Sequence, residues 1–228
     1  MGWIKQVVNS LKRRRRKREE KVSLVGVQHI TKIFPQYRRK NKNLKRLYLE
    51  MKKWKANRIQ RIGIESVITE LDPADRLDYS LRYFYGVNLL AKRIGIQLVE
   101  VDDPLLCYLQ RGFDIRVQDP RVLRVKQWVD QTLQKISPNI SLQDKRLLDY
   151  LISFRRTQAM VMNARREKLP IIITGKNHLV GISKRDFNHV SLDGQSSNSR
   201  LILRALRSER LSKLADQLIV LFRDQFYI

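Results

Sequence analysis

Two turns of the same form carry the residues best suited to chemistry: Gly26-Val27-Gln28-His29 and Gly175-Lys176-Asn177-His178. Each ends a short apolar run. A glycine three residues before a histidine lets the chain turn sharply off a strand, so that the imidazole folds back over the sheet edge. The chain has only three histidines, so finding two in this setting carries more than a single Gly-x-x-His would. Glu70 closes another apolar stretch, and Asp102-Asp103 closes a further one. Two imidazoles, a glutamate and a diacid form a fair ligand set for a divalent transition metal. Zinc, manganese, cobalt and iron suit it better than calcium, which prefers all-oxygen sites. His29, His178 and Glu70 would leave a fourth position open for water, as a catalytic site requires. The same groups could instead supply a general base and an electrophile. Plainer roles also exist. The histidines could satisfy backbone groups at strand ends, Glu70 could cap the following helix, and Asp102 and Asp103 could open the loop before Pro104. His189 reads as a surface or outlying residue. No organic cofactor is evident.

These side chains reach one place only if the elements before them are parallel strands. Val22 to Val27, Ile62 to Glu70, Ile96 to Val101 and Pro170 to Thr174 read as strands. Helical periodicity covers Asn43 to Gln60, Asp75 to Arg93, Ser141 to Glu167 and Ser199 to Phe222. Asp72 or Asp75 would cap the second of these, and Gly95 would stop it. Leu105 to Ser137 reads as helix broken at Gly112 and Pro120, and Asp186 to Asn198 as loop. Strands alternating with helices predict an α/β fold, a mainly parallel sheet with helices on both faces. In such a sheet the strand C-termini share one rim, where open α/β proteins place their sites.

In this order the motifs resemble the TraB/PrgY/GumN, or TIKI-like, family, within a superfamily that includes ChaN and erythromycin-esterase-like proteins. The similarity rests on Val25-Gly26-Val27-Gln28-His29, Thr69-Glu70-Leu71-Asp72, Val101-Asp102-Asp103-Pro104 with Arg111, Arg156 with Met160, and Gly175, His178 and Gly181. It spans roughly Lys21 to Ile182. Asp103 stands where the family has arginine, and Arg76 lies one residue later than the family pattern. The resemblance implies metal-dependent hydrolysis, of peptides or another small substrate. His29, His178 and Glu70 would be ligands, with Glu70 as an alternative general base. Arg156 would hold a carboxylate or steady a developing oxyanion. Gly26, Gly175, Gly181, Asp102, Asp103 and Arg111 would line the site's edge.

The chain of 228 residues has a formal net charge of +25 and one cysteine. A lone Cys107 excludes an intrachain disulfide and a four-cysteine zinc site, and fits a reducing compartment. The expectation is therefore a cytoplasmic protein, with a membrane surface as a further option for its N-terminus. No apolar run approaches the ~20 residues of a spanning helix, and the N-terminus, apolar first and basic second, reverses the order of a secretory signal. Trp3, Ile4, Val7, Val8 and Leu11 share a helical face before Arg13, Arg14, Arg15, Arg16, Lys17 and Arg18. Residues 1–20 thus read as a basic amphipathic helix and 21–228 as a single α/β domain. Residues 1–60 hold 20 Lys or Arg against three Glu, a charge that attracts phosphates of nucleic acid or acidic lipid. The alternative function is accordingly a non-enzymatic polyanion-binding protein working through this region.

Overall fold

A computed structural model of the chain describes residues 22–27, 37–67, 79–113, 120–180, 188–191 and 199–226. The fold is α/β. Strands β1 (Ser23–Val27), β2 (Arg61–Ile64), β3 (Gln97–Glu100), β4 (Ile171–Gly175) and β5 (Asn188–Ser191) form one sheet in the order β3-β2-β4-β1-β5. Every pairing among them is parallel. Helices α1 (Tyr37–Ala56) and α2 (Tyr79–Ile94) follow β1 and β2. After β3 come α3 (Pro104–Arg111), α4 (Pro120–Ile136) and α5 (Leu142–Arg166). A 3-10 turn, Lys176–Leu179, leaves β4, and α6 (Ser199–Leu206) and α7 (Glu209–Phe226) end the described chain.

Strand alternation sorts the apolar side chains onto two faces. Val25, Val27, Ile62, Ile64, Ile171 and Ile173 pack with Leu47 and Met51 of α1 and Phe84, Val87 and Ala91 of α2. Leu24 and Ile172 face the other way, with Val101, and meet Met160, Val161 and Ala164 of α5. The sheet is therefore covered on both sides, which is why its strands read as nearly continuous apolar runs. A third core lies among helices. Leu147, Leu148, Leu151 and Ile152 on the first half of α5 pack with Leu109, Val129, Leu133, Leu214, Leu218 and Phe222. One long helix thus ties the helical core to the sheet.

Several boundaries fall where local chemistry puts them. Ser141 N-caps α5, its Oγ accepting from the Asp144 backbone N–H at 3.0 Å, and Glu167 closes the helix. Gly95 ends α2 at φ +75°, and the Ile96 N–H reaches back to the Ala91 carbonyl at 3.0 Å. The helix after Asp103 breaks at Gly112 and resumes at Pro120.

Four expectations are corrected. β2 stops at Ile64 rather than running to Glu70: residues 65–67 are already outside the sheet, although the Glu65 N–H still bonds the Ile173 carbonyl at 3.1 Å. The apolar Val67 extended the pattern without extending the pairing. The stretch Asp186 to Asn198 contains β5, an edge strand that takes its hydrogen bonds from β1 and needs no long apolar run; His189 lies in that strand, paired with Leu24. α1 covers Tyr37–Ala56, beginning before Asn43 and ending before Gln60. The final helix is two, parted at Arg207 and Ser208. The caps placed at Asp72 and Asp75, and the segment 1–20, lie outside the described residues. Among the described residues no helix is long and apolar enough to cross a membrane.

Candidate active site

The chain leaves β2 outward to β3 and leaves β4 in the opposite direction, to β5. A crevice at the C-terminal ends of two such neighbouring strands is where open α/β sheets bind ligands. Here that point lies between Ile64 and Gly175, and a cluster of buried polar side chains occupies it.

Glu65 follows β2 directly and is 7% exposed. It continues the alternation of Gly63, so its side chain turns to the α5 face of the sheet. Gly63 makes that close packing achievable: a Cβ there would stand 3.2 Å from Val101 Cγ1 and 3.3 Å from the Ile171 carbonyl oxygen. Across the crevice, the Gly175 backbone N–H donates to Glu65 Oε2 at 3.0 Å and the Thr174 hydroxyl to the same oxygen at 3.3 Å. Its other oxygen, Oε1, accepts from Arg156 Nη2 at 2.8 Å and lies 3.7 Å from His178 Nε2.

Arg156 comes from α5 and bonds through all three of its nitrogens. Nε meets both oxygens of Asp102, at 2.8 and 2.9 Å, and Nη1 donates to Gln110 Oε1 at 3.0 Å. Nη2 bonds Asp102 and Glu65. Burial pushes the Asp102 carboxyl above the usual carboxylate range, and the hydrogen bonds and charge of Arg156 pull it back only in part. Burial would lower the Arg156 guanidinium; the charge of Glu65 and the bond to Asp102 outweigh it and hold the group firmly protonated. Among the described residues, two buried carboxylates thus face one guanidinium, beside an imidazole.

His178 is 7% exposed and held in the turn after β4. Its Nδ1 lies 2.5 Å from Thr157 Oγ1, and Thr157 Oγ1 also donates to the Ser153 carbonyl at 2.9 Å. Consecutive residues of α5, Arg156 and Thr157, therefore grip the glutamate and the histidine respectively.

The structure brings His178, Arg156, Asp102 and Gly175 of the expected set together. Gly26 lies in β1 opposite Thr174, and Val27 is paired with Gly175, so β1 and β4 end level. Asp103 caps α3: its Oδ1 accepts from the Leu106 N–H at 3.1 Å, while Oδ2 meets Arg223 at 3.0 Å. Arg111 is exposed in the last turn of α3. His29, Glu70, Gly181 and the basic run Arg13 to Arg18 lie outside the described residues. Sequence reasoning passed over Glu65, Gln110 and Thr157. The signal for Glu65 was present, an acid directly after Ile62-Gly63-Ile64. Gln110 and Thr157 carry no mark beyond their places on amphipathic helices.

Among the described residues no group of three or more His, Cys, Asp and Glu side chains stands ready to hold a metal. Two of them nevertheless suit one. Ligand atoms each about 2.1 Å from a tetrahedral ion lie roughly 3.4 Å apart, close to the 3.7 Å between Glu65 Oε1 and His178 Nε2. No family model matches the chain, and neither a curated protein nor a solved structure matches it.

Proposed function

We propose that the protein is a metal-dependent hydrolase acting on peptides, with its centre at the crevice between β2 and β4. The observation that supports this most is the buried pair Glu65 and His178, facing each other across that crevice at 3.7 Å. In this reading His178 Nε2 and Glu65 Oε1 are two ligands of a zinc, manganese, cobalt or iron ion, and His29 is the third. Glu65 takes the ligand role that sequence spacing suggested for Glu70. When bound, the ion would polarise a carbonyl and acidify a water. Arg156 acts through Glu65: it aims the carboxylate and offsets part of the buried negative charge. The guanidinium is engaged by Asp102, Gln110 and Glu65, which favours this positioning role over direct contact with an oxyanion.

Calorimetry with zinc and with manganese, on the full chain and on His178→Ala, tests the reading. The expected result is one site per chain in the wild type and loss of binding in the variant, with peptide hydrolysis abolished by chelator. Absence of binding to either metal at neutral pH would overturn it.

A second reading, a polyanion-binding protein, is favoured by a different observation. Lys45, Arg46, Lys52 and Lys53 lie exposed along α1, on the side away from the sheet. The two readings are compatible, since a basic surface can bring an enzyme to an anionic partner.

A further inference from the structure

The hydrogen bonds around Thr157 determine which nitrogen of His178 carries a proton. A hydroxyl has one hydrogen and two lone pairs. Thr157 Oγ1 makes two contacts, with the Ser153 carbonyl at 2.9 Å and with His178 Nδ1 at 2.5 Å. The carbonyl can only accept, so the hydroxyl hydrogen goes there. With its hydrogen on the Ser153 carbonyl, Thr157 Oγ1 accepts from His178, which places a hydrogen on Nδ1. In a neutral imidazole the other nitrogen is bare. That nitrogen, Nε2, faces Glu65 Oε1 at 3.7 Å, too far for a direct hydrogen bond. In this tautomer both facing atoms are acceptors, and Glu65 Oε1 already accepts from Arg156 Nη2 at 2.8 Å.

We propose that Thr157 is a positioning residue that fixes His178 as its Nδ1–H tautomer and so presents a bare Nε2 to the cation site. As a statement about metal affinity this rests on the metal-dependent reading above; as a statement about the tautomer it does not. The hydroxyl sits one residue after Arg156, which aims Glu65 at the same gap. Both side chains are fixed by α5 and buried, Thr157 at 1% exposure. A hydrogen bond to the distal nitrogen of a metal-binding histidine sets the tautomer, the ring orientation and the basicity of the ligand.

The test uses the full chain with nitrogen-15-labelled histidine. Long-range nitrogen–proton correlation spectra at alkaline pH, where imidazoles are neutral, report the tautomer directly. The expected result is Nδ1–H for His178 in the wild type and in Thr157→Ser, which keeps the hydroxyl. Thr157→Val, of nearly the same shape, should turn the ring toward the Nε2–H form. Zinc affinity by calorimetry should fall about 10- to 100-fold in Thr157→Val and recover in Thr157→Ser. An Nε2–H ring in the wild type would overturn the proposal, as would an unchanged tautomer in Thr157→Val. Should Thr157→Val fail to fold, the spectra of the wild type and Thr157→Ser still decide. If zinc binds none of these proteins while the tautomer follows the hydroxyl, the hydrolase reading falls and the assignment to Thr157 stands.

Discussion

Arg156 holds the most consequential position among the described side chains. It is buried with two carboxylates on one guanidinium, so removing it takes a charged partner from both. Arg156→Met should destabilise the protein by about 3–5 kcal/mol, read as a lower urea midpoint. Asp102 makes a separate prediction about pH. Its carboxyl is raised in the fold by burial, so the folded state holds that proton more tightly than the unfolded state does. The stabilising contribution is therefore full below the unfolded value, near 3.8, and is lost as pH rises through the raised folded value. Unfolding free energies of the wild type and Asp102→Asn should be compared from about pH 4 to pH 7. The wild type should lose stability relative to the variant as pH rises. A parallel pair of curves would mean that Asp102 has no such shift.

At the scale of elements, β2 and α5 do most to build the site. Gly63 lets β2 approach β4 and Val101, and it lies two residues before Glu65 on the same face. Gly63→Val should cost about 1–3 kcal/mol through overpacking and should displace Glu65 from the Gly175 N–H. A thermal melt checks the first effect, and metal affinity checks the second. α5 divides its labour between neighbouring residues. Arg155 turns outward to α7, meeting Asp216 through two bonds of 2.8 and 2.9 Å, while Arg156 turns to the sheet edge. The register of α5 therefore matters at both ends of the molecule. Its N-cap is a modest part of what holds that register: Ser141→Ala should lower stability by about 1 kcal/mol and leave metal affinity unchanged, because Ser141 lies four turns from Arg156.

Across the whole molecule the dominant property is charge. A net +25, concentrated in the first sixty residues, predicts nonspecific binding to polyanions that weakens steeply with added salt, as counterion release requires. Deleting residues 1–18 should flatten that dependence, measured as the slope of log affinity against log salt with a duplex DNA probe. If the deletion leaves the slope unchanged, the exposed face of α1, with Lys45, Arg46 and Lys52, is the contact to mutate next.

Much of this architecture could be read without coordinates, because local rules govern it. The alternation of apolar runs with amphipathic stretches is a property of neighbouring residues, and it predicted the parallel α/β sheet. Ser141 and Pro120 began elements, and Gly95 and Gly112 ended them, where their own backbone and capping chemistry demands it. The placement of His178 and Asp102 near one rim also followed, since strand C-termini of a parallel sheet share an edge. What the sequence could not supply was partnership across distance. β5 exists because β1 offers it an edge. β2 ends at Ile64 because pairing ends there, although the apolar pattern continues. Glu65 outranks other acids only because the Gly175 N–H, Arg156 and His178 converge on it from 91 to 113 positions away. The tautomer proposed for His178 depends on Thr157, whose hydroxyl meets both the Ser153 carbonyl and His178 Nδ1. Periodicity reports which face a residue occupies; only the packed fold determines which atoms meet there.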